Sequence, residues 1–339
     1  MAASELVLKR ASREQIQQTW ANAYDEWGKG TMKVEDFLQR ERVLAAQDFA
    51  QRGLTVWVYV PRSDPATLEM RAHLESFCRR AIVRRRGAEA VEEVTCNSVG
   101  TVFCPPTQRN RGYATGLMRA LAQELQELQG VSNLYSDIGA EFYARHGWHV
   151  YSPVSVRFTQ ALPSGAAVKL LGEPEIVAYA EQDCGRVVQQ MQALPVSASH
   201  VRVAILPEAC VYAWHFARAR FECSIVHGSD HRLEHFGAAL ADGSFLAWSY
   251  DVRQGTVVVL RAAVESQESL LALTAAAMEV GRKVGFTELV FWNPPFEQAL
   301  IAAGAERVVR TGSLPSLCVF GEEDGEHVEW LLNEKLPWV

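Results

Sequence analysis

"TQRNRGYATGLMRAL", residues 107–121, is the stretch that decides how the rest of the chain is read. It follows the strand-like "EEVTCNSVGTVFC" (92–104) and two prolines, Pro105 and Pro106, and it runs into an apolar periodicity that predicts a helix from about Tyr113 to Leu128. Between strand and helix, Arg109, Gly112 and Ala114 stand at the spacing Arg-x-x-Gly-x-Ala. Small residues let a backbone approach a ligand closely. The first amides of a helix are unpaired donors at the positive end of its dipole. The combination is an anion cradle whose natural occupant is a pyrophosphate, with the arginines adding charge at its rim. A glycine at a helix start can also serve only the turn, so the motif by itself leaves both readings open.

Outward from this stretch, the chain alternates helical and extended periodicities. Helices are predicted at 13–27 and 33–52, a strand at 55–60, a further helix around "DPATLEMRAHLESFCRR" (64–80), and a strand at "AIVRR". Downstream come a short strand "VSNLYSD", a short helix in "GAEFYARHGW" and extended chain in "WHVYSPVSVRF". The same order then recurs. "FLAWSYDV" and "GTVVVLRAAV" predict strands, "QESLLALTAAAMEVGRKVG" a helix, "TELVFWN" a strand and "FEQALIAAGAERV" a helix, so the second half reads as a degenerate relative of the first. In it, "RAAVESQESLLAL" takes the place of the anion cradle and has no glycine, which predicts one cofactor per chain. The segment 160–175, with Pro163, Ser164 and Gly165, is the expected linker.

Composition bounds the function. At 339 residues the chain exceeds the ~250–300 at which single cores stop growing, so two domains are expected. The 48% apolar and 22% charged content is that of a soluble globular protein. The net charge of −7 speaks against nucleic acid as a partner. No apolar run reaches the ~18 residues of a membrane span, and the start lacks a secretory signal, so a cytoplasmic protein is expected. Seven scattered cysteines without a Cys-x-x-Cys pair point to reduced thiols rather than disulfides or zinc. The basic "RRAIVRRR" (79–86) is read as a strand with its arginines on the wet side, or as an anion site. His227, His231 and His235 are spaced like metal ligands, but Gly228 and Ser229 break the helix there and no cysteine or carboxylate completes a set, so no metal is expected.

"SVGTVFCPPTQRNRGYATGLM" resembles the coenzyme-A signature of the GCN5-related N-acetyltransferase (GNAT) superfamily, and "NLYSDIGAEFYARHGW" resembles its second motif. "PPTQRNRGYA", "LYSDIG" with "FY" and "GW", "WHFARARF", "LPSL" and the end "NEKLPWV" are closer still to the fungal lysine N-acetyltransferase family. The resemblance implies an α/β protein: a GNAT fold, with a mixed twisted sheet flanked by helices, over residues 1–160, and a second, degenerate GNAT-like domain over 175–339 that shapes the acceptor pocket. It implies acetyl-CoA as cosubstrate, no metal, and the amine of free lysine or a lysine-like small molecule as acceptor. A protein or peptide acetyltransferase and a non-catalytic acyl-CoA sensor are the alternatives.

What the resemblance implies for single residues is as follows. Backbone groups of Val102, Phe103 and Cys104 face the pantetheine, one strand amide near Phe103 or Cys104 stabilises the oxyanion, and the backbone of Arg109, Asn110, Arg111, Gly112, Tyr113 and Ala114 holds the pyrophosphate. Tyr143 takes the place of the acid tyrosine, against a plain packing role beside Phe142. Ser98 stands where some relatives carry a base glutamate. Glu75, in "HLESFC", resembles a family glutamate that acts as base through water or binds the substrate cation, against a solvated helix carboxylate; Glu92 and Glu93 are the runners-up. Asp137 contacts the substrate ammonium or caps the next helix. Trp214, Arg218 and Phe221 lie at helical spacing, either as core with a snorkelling arginine or facing the cleft, where Arg218 takes a substrate carboxylate and Trp214 walls the aliphatic stem.

Overall fold

The computed structural model describes residues 5–163, 167–228, 231–321 and 327–339. In chain order it builds β1 (Leu6–Arg10), α1 (Arg13–Trp27), α2 (Val34–Ala45), α3 (Asp48–Gly53), β2 (Leu54–Pro61), β3 (Ala72–Arg84), β4 (Glu92–Phe103), α4 (Tyr113–Gln126), β5 (Val131–Ser136), α5 (Glu141–Ala144), β6 (His149–Val150) and β7 (Val154–Phe158). There follow β8 (Lys169–Leu171), α6 (Glu173–Ala193), β9 (Val201–Ile205), α7 (Ala209–His227), β10 (Gly237–Ala239), β11 (Phe245–Asp251), β12 (Thr256–Ala263), α8 (Gln267–Lys283), β13 (Glu288–Trp292), α9 (Glu297–Ala302), β14 (Glu306–Val309), β15 (Leu314–Val319) and β16 (Val328–Leu331).

These strands form two mixed sheets. One runs β1-β2-β3-β4-β5-β15-β6, with β9 continuing along β3 and β16 beyond it; the other runs β14-β7-β13-β12-β11-β10-β8. In each, an antiparallel bulged pair (β3–β4, β11–β12) is followed by a parallel pair (β4–β5, β12–β13) joined through a crossover helix, α4 or α8. The two sheets also exchange strands. β7 leaves the first half to pair with β13 and β14, while β15 leaves the second half to pair with β5 and β6. Neither sheet is therefore built from one contiguous stretch of chain.

The largest core crosses the same divide. Leu44, Phe49 and Phe77 of the first half pack with Trp214 and Phe216 of α7 and with Phe236 and Trp248 around the second sheet, each at most 5% exposed. Full burial of such side chains contributes roughly 1.5–3 kcal/mol each, so α7 is a structural hinge pin between the halves.

Several expectations need correction. Residues 72–84, expected to open as a helix, are a strand. β3 is covered on both faces, with all but Cys78 and Arg80 buried, so the alternation that marks a half-buried strand is absent and tertiary burial overrides local periodicity. The helix expected over 33–52 breaks at Ala46 and Gln47 into α2 and α3. The one expected over 296–308 stops at Ala302, and 306–309 pair as β14. The arginines of 79–86 are not all on a wet side. Arg80 pairs with Glu93 at 2.8 Å in solvent, but Arg79 and Arg84 are buried, Arg84 donating to the carbonyls of Ala88 (3.0 Å) and Met191 (3.2 Å). Residues 169–171 of the expected linker form β8, while Ser164, Gly165 and Ser229 lie outside the described residues. No described helix is long and apolar enough to cross a membrane.

Candidate active site

The parallel pairing of β4 with β5 runs from Cys96–Val131 to Val99–Leu134 and then stops, although β4 continues to Phe103 and β5 to Ser136. The strands splay, and the edge of β4 from Gly100 to Phe103 loses its partner on that side. A bulge helps. Against β3, three steps of β4 (Gly100 to Phe103) face two of β3 (Glu75 to His73), with Thr101 in the left-handed region at φ 50°. Backbone groups without a ladder partner must find another one, and here they line a cavity of about 690 Å³.

The start of α4 forms the next wall. Gly112 is its N-cap at φ 77°, a conformation that disfavours a side chain, and no side-chain oxygen caps the helix. The first amide of this turn with a helical partner is that of Gly116, bonded to Gly112 O at 2.9 Å, so those of Asn110 through Thr115 have no protein acceptor among the described residues. Arg109 departs from expectation. Its amide belongs to the preceding turn (Pro106 O, 3.4 Å), and its guanidinium bonds the Cys104 carbonyl at 3.0 Å and Glu26 of α1 at 3.2 Å, which also occupies one of the backbone groups expected to face the pantetheine. Gly116 has a packing reason: a Cβ there would lie 2.8 Å from the Tyr59 hydroxyl.

The same cavity is lined by Tyr143, Glu75, Asp137, Trp214 and Arg218, so the structure brings these sequence-read residues together with the cradle, whereas Arg111, expected in the cradle, does not line it. Tyr143 is buried at 7% exposure, and burial, with Asp137 adding to it, pushes its phenol above the ordinary value and keeps it protonated. Glu75 is no solvated helix carboxylate. It projects from β3, 8% exposed, and burial together with the nearby Glu41 carboxylate raises its pKa to about 7, against stabilising contacts from Thr101 Oγ1 (3.0 Å to Oε2), Trp20 and Arg40. Glu92 and Glu93 are removed from the cavity and pair with Arg85 (3.4 Å) and Arg80 (2.8 Å) on the surface. Asp137 does not cap α5, whose N-cap is Ala140; its Oδ1 accepts from the amide (2.7 Å) and hydroxyl (3.2 Å) of Ser313. Arg218 lies on α7, with Nε on Glu222 at 3.1 Å and its guanidinium 4.9 Å over the Trp338 ring. Phe221, the third of that helical set, does not line the cavity. The His227 and His231 rings lie 5.0 Å apart, tilted by 34°, and no cluster of three metal-ligating side chains occurs among the described residues.

Sequence reasoning missed part of the lining. Glu41 and Arg40 of α2 reach the cavity, Arg40 bonding Glu41 (2.5 Å) and Glu222 (2.9 Å), as do Trp338 and Val339. The helical periodicity of α2 marks a buried face but not what that face meets. The end "NEKLPWV" stood out as a family echo without a role.

Comparison with known proteins decides the assignment. Residues 149–339 match the family described as LYC1 GNAT-like C-terminal domain. The chain belongs to this family. It is thus an N-acetyltransferase of the GNAT type. A lysine acetyltransferase from Yarrowia lipolytica is 24% identical over 96% of this chain and 98% of its own. Among solved structures, a probable N-acyltransferase from Enterococcus faecalis V583 superposes with TM-score 0.57 at 10% identity, covering 93% of this chain and 72% of that one. A putative acetyltransferase from Pyrococcus horikoshii gives 0.53 at 9% identity over 96% and 94%. At such identities the structural likeness is one of fold.

Proposed function

We propose that the protein transfers the acetyl group of acetyl-CoA to the amine of free lysine or a lysine-like small molecule. The observation that carries this reading is a single cavity lined at once by the uncapped start of α4, the unpaired edge of β4, Tyr143, Glu75 and the Trp214–Arg218 face of α7. Free amides at a left-handed glycine suit a pyrophosphate, so the donor set fits the cosubstrate. Acetyl-CoA supplies an activated thioester there. Residues 1–160 carry this half of the site, and 175–339 close the acceptor side.

The chain's own groups do the rest. An alkyl ammonium with pKa near ~10.4 is only about one part in a few thousand neutral at pH 7, so a proton must leave before attack. Glu75, with a pKa about 7, accepts it directly or through water and is the base of this reading. An amide of the open β4 edge, at Phe103 or Cys104, holds the charge that develops on the acetyl oxygen. The protonated Tyr143 phenol gives its proton to the departing sulfur. Asp137 faces the ammonium, Trp214 flanks the stem, and Arg218 takes the carboxylate. The walls contributed by α7 and by residues 338–339 favour a small acceptor over a protein one, which would need an open groove. A panel of free amines, lysine included, assayed for thiol release from acetyl-CoA tests the reading. Release with lysine supports it, and silence across the panel points to a protein acceptor or a sensor.

A further inference from the structure

Where α2 meets α7, four charged side chains form an open chain. Arg40 donates from Nε (3.0 Å) and Nη2 (2.5 Å) to Glu41 Oε1 and from Nη1 (2.9 Å) to Glu222 Oε1, and that same Glu222 oxygen accepts from Arg218 Nε at 3.1 Å. The order is carboxylate, guanidinium, carboxylate, guanidinium. The inner members, Arg40 and Glu222, are paired on both sides, and their side chains are only 4% and 7% exposed. The ends are not. Both bonds to Glu41 fall on Oε1, and its Oε2 takes none among the described residues. Arg218 spends only Nε, which leaves its Nη1 and Nη2 without a protein acceptor there. Both ends line the cavity, with side chains 16% and 23% exposed.

Packing holds these groups in place. The Arg218 guanidinium lies 4.9 Å over the Trp338 ring and that of Arg40 4.5 Å over Phe37, and both rings line the cavity as well. Charges withdrawn from water are repaid only when their remaining donors and acceptors are satisfied, and here the two end groups are the ones left short. A ligand that carries an ammonium beside a carboxylate satisfies both at once. Its ammonium meets Glu41 Oε2, its carboxylate meets the Arg218 fork, and the open chain closes into a ring of alternating sign. The head of an α-amino acid has this pattern. Glu41 is also within electrostatic reach of Glu75, being the second cause, after burial, of that group's raised pKa, so one small acceptor can extend from the head seat to the base.

We infer that Glu41 and Arg218 together clamp the zwitterionic head of the acceptor, Glu41 taking its α-ammonium, so that Glu41 is a specificity-determining residue selecting an amino acid with a free α-amine. The inference rests on the small-amine reading above and names its substrate class: an α-amino acid whose side chain carries the reacting amine to Glu75. A lysine inside a peptide carries neither head charge and closes no such ring.

The test is calorimetric binding to the CoA-loaded protein, with L-lysine and 6-aminohexanoate, which keeps the carboxylate and the terminal amine but lacks the α-amine, as probes. Wild type binds lysine at least about tenfold more tightly, the scale of hydrogen bonds to a charged group. Glu41→Gln weakens lysine about ten- to a hundredfold, leaves 6-aminohexanoate within about twofold and leaves CoA affinity unchanged, while Glu41→Asp restores part of the preference for lysine. Equal wild-type affinity for the two amines overturns the inference without any variant, as does a Glu41→Gln protein that still binds CoA and loses both amines alike. If wild type binds neither amine, the acceptor reading itself falls, and the role of Glu41 with it.

Discussion

The two sheets carry the same opening, and the chain fills only one of them. In the first, β4 and β5 part after Val99–Leu134, and α4 begins on an uncapped left-handed glycine. In the second, β12 and β13 part after Val258–Val290, but the chain's own end lies along the edge: Ala262 N donates to Glu334 Oε1 at 3.0 Å and Leu336 N to Leu260 O at 3.1 Å. The helix start differs in the same sense. α8 is capped by Ser266 Oγ on the Ser269 amide (3.0 Å), and the Asp242 carboxylate accepts from Ser269 Oγ at 3.0 Å, so an anion arriving there meets oxygens instead of bare donors. A copied scaffold keeps its splay because strand geometry dictates it. Whether the splay holds a ligand depends on a few side chains.

The contrast is broken most directly by stoichiometry: titration calorimetry is expected to give one coenzyme A per chain, and two would show that the second opening is functional after all. Next in size, Tyr143→Phe should lower kcat about 10³-fold with coenzyme A affinity retained; unchanged turnover would make the first opening a sensor rather than a catalyst. The second opening should instead answer in stability. Arg261 holds Asp183 (2.8 Å) and Glu334 (3.2 Å) in a buried triad, and Arg261→Met, which leaves two carboxylates facing each other, should cost about 3–5 kcal/mol in chemical denaturation.

Glu75→Gln should cost about 10²-fold in kcat/KM and alter the pH profile. Because the base works only when ionised and its pKa is raised to about 7, wild-type activity should climb with pH up to about 7 and level off above it. The Gln variant should lose that limb, and its persistence would assign the base elsewhere. The smallest effect separates the helix starts. Ser266→Ala should destabilise by about 1 kcal/mol without touching coenzyme A affinity, whereas Gly112→Ala, whose Cβ would meet no protein atom within 4 Å, should strain the turn by about 1–2 kcal/mol and weaken coenzyme A.

Much of the first opening was legible because its parts are local. The strand before Pro105, the turn at Gly112, the helix after it and Tyr143 at its short helix fall within about fifty residues, and local conformation alone constrains them. Glu75 was readable as a residue but not as a strand residue, since burial on both faces of β3 removes the alternation that would have announced it. Glu41 was unreadable. Its significance comes from the Glu75 carboxylate, which meets it only across elements far apart in the chain.

The sequence by itself determined the repeated strand and helix order, the bare helix start at Gly112 and the glycine-free counterpart near Ser266, because each follows from the steric and hydrogen-bonding demands of a few consecutive residues. Only the tertiary structure decided that β7 and β15 change sheets, that α7 walls the cavity from the other half, and that residues 334–336 occupy the second opening. Those outcomes depend on which buried surfaces and unpaired backbone groups find each other in space, and nearest-neighbour preference carries no information about that.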